Sequence, residues 1–222
     1  MRSLPTQGQC DKFVIGVYDG TRGETMLYIL VVAFLRLLVR LVFRVRVEGK
    51  LHIPKEGAVV LAANHRSLWD PVFVTIASHR PVHFMAKEEL FRIPVLGFLL
   101  PYLKAFPVRR GENDRKAIRQ ALSVLHQGSV LGIFVEGTRN KDKGANKVLP
   151  LKHGAAMLAS RSEASIVPVA IKRIKRQITI TVGQPLTPHW QSAERKALYG
   201  MISQNLQEAL SQMLEPMPQP QS

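Results

Sequence analysis

Short apolar segments alternate with helix-like segments along most of the chain, and this alternation constrains the fold more than any other feature of the sequence. The apolar segments have the length of strands and lie at 59–63, 82–86, 105–108, 130–135 and 166–171. The segments between and after them have the spacing of helices and lie at 71–78, 113–126, 154–161 and 192–214. Strands that alternate with helices form largely parallel sheets that are covered on both faces. We therefore expect an α/β fold with a mostly parallel sheet flanked by helices.

The last third of the chain carries three further signals. Ile178, Ile180 and Val182 alternate with threonines, which predicts a final strand at an edge of the sheet. Pro168 interrupts a buried strand and cannot donate to a neighbour, so it should lie at a bulge or an unpaired position. The final helix pattern carries one apolar stripe. The stripe is formed by Leu198, Ile202, Leu206, Leu210 and Met213.

The segment 26–47 predicts a helix that lies on a membrane surface. Arg36, Arg40 and Arg44 recur every four residues, so one helix face carries all three. The uncharged stretch that precedes them is only half of the roughly 20 residues that span a bilayer. A helix of this kind lies in the interface with its arginines near anionic headgroups. Two alternatives are a buried core helix whose arginines extend to the solvent and a spanning helix.

The chain length and the changes in composition along the chain predict the domain organisation. The 222 residues suit one α/β domain with a small N-terminal addition. We expect a flexible leader at 1–24, the membrane-interface helix at 25–47, the main domain at 48–215 and a disordered tail at 216–222. No small-residue cleavage site follows the first apolar stretch, so we expect no removable signal peptide. The chain has one cysteine, Cys10, which excludes an intrachain disulfide and zinc sites built on cysteine pairs and makes a cytosolic location the default.

The formal net charge of +15 favours an anionic partner, which could be nucleic acid, anionic lipid or a phosphorylated substrate. A nucleic-acid-binding module would need aromatic side chains interleaved with basic ones. Aromatic residues make up only 7% of the chain, and no helix-turn-helix or zinc pattern occurs. We therefore expect no nucleic-acid partner.

A histidine and an aspartate follow the strand at 59–63 and could act together. Histidine is the most common general base near neutral pH, and a carboxylate can orient it. Side chains five residues apart point in different directions on a helix and on a strand. His65 and Asp70 can therefore meet only across a turn between a strand and a helix. Two alternatives remain: Asp70 could cap the following helix, or Ser67 could be a nucleophile activated by His65, although the Gly-x-Ser-x-Gly pattern of a nucleophile elbow is absent.

Basic residues follow two other predicted strands. Arg109 and Arg110 end the strand at 105–108, and a guanidinium group can bind phosphate bidentately. The segment 134–139 places Glu136 and Arg139 at the end of another strand, where Glu136 could hold Arg139 or a substrate hydroxyl. The plain alternatives are a solvated basic turn and a surface ion pair that contributes little stability.

Four sequence blocks together carry a resemblance to a known family. They read NHRSLWD at 64–70, FPVRRG at 106–111, FVEGTRN at 134–140 and IVPVAI at 166–171. Their order and spacing resemble the bacterial 1-acylglycerol-3-phosphate (lysophosphatidic acid) acyltransferases, which belong to the NHxxxxD-type glycerolipid acyltransferases. The resemblance covers about residues 45–185, so that 48–215 is the expected acyltransferase domain. It implies transfer of a fatty acyl group from an acyl thioester to 1-acyl-sn-glycerol 3-phosphate, which gives phosphatidic acid in phospholipid biosynthesis.

The resemblance also implies roles for individual residues. His65 is the general base, Asp70 orients it, and Ser67 forms local hydrogen bonds. The implied substrate-binding residues are Arg110, Glu136, Gly137, Thr138, Arg139 and Lys152. Lys104 stands where many relatives have glycine, and it could add a phosphate contact or shift the acceptor preference. Val135 replaces the proline that is usual in the third block, which should affect backbone rigidity more than chemistry.

The implied partners are lysophosphatidic acid, an acyl donor (acyl-CoA or acyl-acyl carrier protein) and anionic membrane lipids. No metal, cofactor or covalent intermediate is implied. The expected location is the cytoplasmic face of the inner (plasma) membrane. Two rivals remain open: an acyltransferase with another acceptor, such as a different lysophospholipid, an amino-lipid or glycerol 3-phosphate, and an inert membrane-surface protein with the same fold.

Overall fold

The computed structural model describes residues 22–109, 114–140, 148–186 and 195–215, and the side chains of 22–25 and 195–196 are not described. The helices are α1 (Arg22–Val42), α2 (Asp70–Ala77), α3 (Pro94–Tyr102), α4 (Arg115–His126), α5 (Gly154–Ser162) and α6 (Arg195–Leu214). The strands are β1 (Arg44–Glu48), β2 (Val59–Ala63), β3 (Val82–Lys87), β4 (Ala105–Val108), β5 (Val130–Phe134), β6 (Ser165–Ile174) and β7 (Gln177–Val182). Short 3-10 turns at Lys50–His52 and Glu88–Arg92 complete the described elements. The predicted tail at 216–222 and most of the predicted leader lie outside the described residues.

The seven strands form one sheet in the order β1-β7-β6-β2-β5-β3-β4. The five strands from β6 to β4 run parallel, β7 is antiparallel to β6, and β1 is parallel to β7. The expected mostly parallel α/β fold is therefore confirmed. The ends of the five parallel strands form one side of the sheet, here called the carboxyl edge, and their first residues form the opposite side, the amino edge. Both differ from the lateral edges of the sheet, which are the outermost strands β1 and β4. Ligands of such sheets gather at the carboxyl edge.

The prediction that the N-terminal helix extends to residue 47 is wrong, because the helix ends at Val42 and a strand follows. Arg36 and Arg40 lie on α1, whereas Arg44 opens β1, so the three arginines do not share one helix face. The segment 44–48 alternates charged and apolar residues, which suits a strand at an edge of a sheet. A second correction follows, since β1 occupies the edge that was predicted for β7.

Each face of the sheet carries its own apolar core. The helices α1, α2 and α3 cover one face, where Phe73, Leu61 and Ile180 are fully buried. The helices α4, α5 and α6 cover the other face, where Leu131, Ile166 and Leu206 are fully buried. The predicted stripe on the last helix is confirmed at 198, 202, 206 and 210, and Met213 packs against the same core.

The helix α1 runs across the first face from the amino edge to the carboxyl edge. Tyr28 lies close to Lys104, whose Nζ is 5.7 Å from the ring centroid, and Val39 is buried in the core beneath α1. The outward face of α1 is apolar, and its exposed side chains are Met26, Ile29, Leu30, Phe34, Leu37 and Leu41. Among the residues that the structure describes, no helix combines the length and the apolar character needed to cross a membrane.

The helix α3 was not predicted from the sequence. Its residues are apolar on nearly all sides, so they show no helical periodicity that a pattern search could detect. Leu100 faces the core, while Val95 and Phe98 are exposed. These exposed side chains extend the apolar surface of α1, against which α3 packs. We call the exposed apolar residues of α1 and α3 the apolar face.

Pro168 is unpaired on one side only. It lies opposite Ala62 in the parallel ladder between β2 and β6. The ladder between β6 and β7 begins at the next residue, Val169, so the missing N–H of Pro168 leaves no bond of that ladder unmade. The prediction of an unpaired position therefore holds toward β7 and fails toward β2.

At the amino edge, the guanidinium group of Arg80 donates to three backbone carbonyl oxygens. These belong to Pro54 (2.9 Å), Gly57 (2.9 Å) and Gly128. Arg80 thus joins the turns that lead into β2 and β5.

His83 should make the stability of the fold depend on pH. Burial and the nearby charge of Lys104 lower the pKa of His83 to about 4, although its ring donates to the Val130 carbonyl oxygen. In the unfolded chain the same group titrates near 6.5. Between these values the unfolded chain binds more protons, so the free energy of unfolding decreases as pH falls from 6.5 to 4, by up to about 3 kcal/mol.

Urea unfolding between pH 7 and pH 4.5 tests this expectation. His83→Gln should flatten the pH dependence, because glutamine keeps a donor for Val130 but does not titrate. His126→Gln, at the exposed end of α4, is the matched control. An unchanged pH dependence in His83→Gln would contradict the assignment.

Candidate active site

The first candidate site lies in the turn that joins β2 to α2 at the carboxyl edge. The backbone N–H of Asp70 donates to the Ser67 carbonyl oxygen at 3.3 Å and closes this turn. His65 Nδ1 then lies 2.9 Å from Asp70 Oδ2. Both residues are buried, with 7% and 1% of their surface exposed. The two side chains meet across a turn, as their spacing predicted.

A single oxygen of Asp70 holds the turn together. Besides the imidazole, Oδ2 accepts hydrogen bonds from the backbone N–H groups of Arg66 (2.6 Å) and Ser67 (2.7 Å). The N-cap position of α2 is Trp69, and no side chain caps it, so the helix-capping alternative for Asp70 is not what the structure shows. Instead Asp70 folds the preceding loop around its carboxylate.

The contact with Asp70 also fixes which nitrogen of His65 carries the hydrogen. An ionised carboxylate only accepts, so Nδ1 must donate, and neutral His65 presents Nε2 as a proton acceptor. Nε2 has no hydrogen bond to any residue that the structure describes. The ring is stacked on Phe134 with 4.1 Å between centroids. His65 therefore has the form and the fixed orientation of a general base.

Ser67 takes part in the turn rather than in a nucleophile pair. Its hydroxyl oxygen accepts from the backbone N–H of Trp69 at 3.2 Å. This confirms the predicted local hydrogen-bonding role. The same contact gives no support to a nucleophile activated by His65, since that mechanism needs the hydroxyl to donate to the ring.

The backbone of His65 is held by the segment that follows β5. Its N–H donates to Glu136 Oε1 at 2.8 Å, and its carbonyl oxygen accepts from the Asn140 N–H at 2.7 Å. The second oxygen of Glu136 accepts from the Leu149 N–H at 3.3 Å. Burial raises the pKa of the Glu136 carboxyl, while the N–H groups of His65 and Leu149 act in the opposite sense. The predicted contact between Glu136 and a substrate stays a prediction.

Asn64 connects the same turn to β6, the strand on the other side of β2. Its side-chain amide donates to the Ile171 carbonyl oxygen at 3.1 Å and accepts from the Ile171 N–H at 2.7 Å. The Asn64 side chain thus pairs with the backbone of β6, as a strand residue would, at the point where the chain leaves β2. Sequence analysis missed the roles of Asn64 and Asn140. For Asn64 a signal existed, because a polar residue that directly follows a fully buried strand needs a hydrogen-bond partner. Asn140 holds His65 through its backbone N–H, which residue type does not reveal.

Two positive side chains lie near this turn. The backbone N–H of Lys152 donates to the Val135 carbonyl oxygen at 2.9 Å, which brings Lys152 to the end of β5. Its aliphatic chain crosses Gly137, where a Cβ atom would lie 2.8 Å from Lys152 Cδ, and Gly137 has a φ of +68°. Thr138 and Arg139 are exposed beside it. The residues predicted from the third sequence block therefore lie together with Lys152. Their contacts with a substrate stay predictions.

The second block is only partly described. Arg110 lies outside the described residues, so its predicted phosphate contact stays a prediction. Arg109 ends β4 and pairs with Glu88, with 2.6 Å between Nε and Oε2. Its backbone N–H donates to Asp114, the N-cap of α4. Since β4 is three strands from β2, Arg109 is about 14 Å from the strand that carries His65.

The structure places Lys104 away from His65, and its phosphate contact stays a prediction. Lys104 precedes β4, and its carbonyl oxygen accepts from the Phe84 N–H at a level about 13 Å before the carboxyl edge. Its ammonium group lies over the Tyr28 ring. The residue has a φ of +56°, the conformation that glycine adopts without strain. The order of the sequence agrees with this position, because the predicted strand at 105–108 begins directly after Lys104.

Comparisons with known proteins agree with this geometry. The family model described as Acyltransferase matches residues 44–172, more than half of the chain. A 1-acyl-sn-glycerol-3-phosphate acyltransferase of Bacillus subtilis is 31% identical over 185 residues, which cover 77% of this chain and 86% of that protein. A lyso-ornithine lipid O-acyltransferase of Pseudomonas aeruginosa is 36% identical over 140 residues, 61% of this chain and 50% of that protein.

A solved structure has the same fold. The 1-acyl-sn-glycerophosphate acyltransferase of Thermotoga maritima superposes with a TM-score of 0.72 at 22% identity. The match covers 94% of this chain and 90% of that one. At this identity the likeness concerns the fold alone.

Asp70→Asn should remove the charge that stabilises protonated His65. One oxygen of Asp70 accepts from Nδ1 and from two backbone N–H groups, so the asparagine oxygen should take its place and leave the hydrogen on Nδ1. Imidazole ¹⁵N chemical shifts should therefore report Nδ1–H in both proteins, with the His83 signals as an internal control. A reaction that uses Nε2 as base should still slow by roughly 10²–10⁴-fold, because the imidazolium loses its stabilising carboxylate. Full activity in the variant would show that the charge of Asp70 does not assist His65.

Proposed function

The chain belongs to the Acyltransferase family, and on that premise we propose that it transfers a fatty acyl group from an acyl thioester to the free hydroxyl of 1-acyl-sn-glycerol 3-phosphate. The product is phosphatidic acid, a precursor in phospholipid biosynthesis. The observation that carries this proposal is the buried pair of His65 and Asp70, whose open Nε2 lies at the carboxyl edge beside positive side chains. The Bacillus subtilis relative, of which this chain covers 86%, is named for the same activity.

The pair performs the two proton transfers of the reaction. His65 Nε2 takes the proton from the acceptor hydroxyl while that oxygen attacks the thioester carbonyl carbon. The carbon–sulfur bond then breaks, and the imidazolium returns the proton to the departing thiolate. Asp70 stabilises the imidazolium between these steps and keeps the ring in place. General base catalysis of this kind contributes about 10²–10⁴-fold to the rate.

Positive groups near the turn hold the phosphate of the acceptor. Arg139 and Lys152 lie at the end of β5 next to His65, and the predicted phosphate ligand Arg110 follows β4 in sequence. A charge-assisted hydrogen bond of this type contributes about 1.5–3 kcal/mol. Loss of one such side chain should therefore appear mainly as weaker acceptor binding.

The donor is an acyl thioester of coenzyme A or of acyl carrier protein. Both carriers are acidic, and the net charge of +15 favours the approach of either.

The apolar face attaches the protein to an anionic membrane. Phe34, Leu37 and Val95 are each more than half exposed, and contiguous apolar surface of this kind marks an interaction site. Arg36 and Arg40 flank it on α1, where they can reach anionic headgroups. Attachment places His65 near lipid substrates, and the cytoplasmic face of the inner membrane is the location where acyl-CoA and acyl carrier protein are available.

A second candidate acceptor is a lyso-ornithine lipid, because the Pseudomonas aeruginosa relative is named for acylation of that lipid. The same base could serve this acceptor. A lyso-ornithine lipid has no phosphate, so Arg139 and Lys152 would lack their proposed ligand. We therefore place lysophosphatidic acid first.

His65→Ala should abolish acyl transfer. With labelled palmitoyl-CoA and 1-acyl-sn-glycerol 3-phosphate in detergent, the wild type should form phosphatidic acid, and the variant should be at least about 10³-fold slower. His126→Gln, remote from the turn, is the control. Parallel assays with lyso-ornithine lipid and with an acyl carrier protein donor identify acceptor and donor. Equal product from wild type and His65→Ala would refute the mechanism, and product only from lyso-ornithine lipid would replace the acceptor.

Leu37→Glu should weaken binding to vesicles that contain anionic phosphatidylglycerol. Transfer of one leucine side chain out of the membrane costs about 1.5–3 kcal/mol, which corresponds to about 10–100-fold in partitioning. Met201→Glu is the matched control, since Met201 is similarly exposed but lies on α6, on the opposite face of the sheet. Co-sedimentation measures both. An equal loss in the two variants would show that charge, and not the apolar face, determines binding.

A further inference from the structure

His65 is held by its backbone as well as by its ring. The ring donates to Asp70, five residues away, and is stacked on Phe134, the last residue of β5. The backbone N–H donates to Glu136, 71 residues away in sequence, and the backbone carbonyl oxygen accepts from the Asn140 N–H. The backbone contacts therefore attach His65 a second time, to the segment that follows β5.

Glu136 is enclosed by these backbone contacts. Only 3% of its surface is exposed, and each carboxylate oxygen faces a backbone N–H group. A substrate hydroxyl or the Arg139 guanidinium therefore has little access to the carboxylate from the solvent side.

The residue type at 136 matches the donors that surround it. A carboxylate accepts on both oxygens, so it can satisfy the N–H groups of His65 and Leu149 at the same time. Glutamine accepts on one oxygen only, and its NH₂ group would face the other N–H donor.

We propose that Glu136 is a positioning residue that locks the backbone of His65 to the end of β5 and to Leu149, in place of the substrate contact that the sequence predicted. The proposal rests on the proposed acyltransferase function. Through Leu149 the same carboxylate joins His65 to the segment that carries Lys152, so the base and a cation proposed to bind phosphate share one anchor.

The test compares Glu136→Gln and Glu136→Ala in the assay with labelled palmitoyl-CoA and 1-acyl-sn-glycerol 3-phosphate. Loss of position should lower kcat, by about tenfold in Glu136→Gln and about 100-fold in Glu136→Ala. KM for the acceptor should change less than about threefold, because no contact with the substrate is lost. The graded order of the two variants follows from the one acceptor oxygen that glutamine keeps.

Arg80→Ala is the control for a general loss of stability. Arg80 also joins distant backbone groups, but it lies at the amino edge. Assayed below its unfolding transition, it should retain the wild-type kcat even where its Tm falls as far as that of Glu136→Ala. A kcat that falls equally in Arg80→Ala would reduce the role of Glu136 to stability.

Hydrogen exchange tests the anchor without any substrate. In mass spectrometry, the peptides that carry the His65 and Leu149 amides should exchange at least tenfold faster in Glu136→Ala than in the wild type. The peptide that covers β7 should not change. If the wild type proved inactive with every acceptor, the proposed function would fail while this measurement still decided whether Glu136 holds His65.

Two results would overturn the inference. A KM for 1-acyl-sn-glycerol 3-phosphate raised tenfold or more with kcat unchanged would show that Glu136 contacts the substrate. Unchanged exchange of both amides in Glu136→Ala would show that the carboxylate does not hold the backbone.

Discussion

The convergence of three N–H donors on one oxygen of Asp70 shapes the whole carboxyl edge. The imidazole of His65 and the backbone of Arg66 and Ser67 all donate to Oδ2, at 2.6–2.9 Å. Because these groups surround a buried charge, removal of the carboxylate would leave several donors without a partner. The turn lies between the last residue of β2, Ala63, and the first residue of α2, Asp70. The ring orientation of the base is thus a consequence of how the chain leaves the sheet.

The neighbours of β2 in the sheet supply the rest of the support. β5 and β6 flank β2 on its two sides, so the residues that follow or extend these strands reach the same point. Glu136 comes from the end of β5, and Ile171 comes from β6. These contacts span 71 and 107 residues of sequence. They are possible because parallel strands place all their ends at one edge, where backbone groups without a ladder partner must find side chains.

The sequence predicted the dyad because a spacing of five residues leaves only a turn in which His65 and Asp70 can meet. It also predicted the strands from β2 to β6, since continuous apolar segments of strand length mark buried parallel strands. It failed at β1, because arginines four residues apart imitate a helix face although the charged and apolar residues of 44–48 alternate. It placed Lys104 directly before a predicted strand, which is the amino end of that strand and not the end where ligands of parallel sheets gather. The direction of the Glu136 side chain depends on partners far away in sequence, which no local pattern contains.

The packing that supports the dyad also builds the proposed membrane surface. Phe43, just after α1, contacts the edges of Trp69 and Phe73, with centroids 5.9 and 5.6 Å away. Trp69 belongs to the turn that carries His65 and Asp70, so the carboxyl end of α1 is fixed directly against that turn. Leu68, in the same turn, is also apolar and is 69% exposed. Under the proposed function, a lipid bound along α1 would meet the turn that carries His65 at the end of the helix, because one aromatic cluster sets the positions of both.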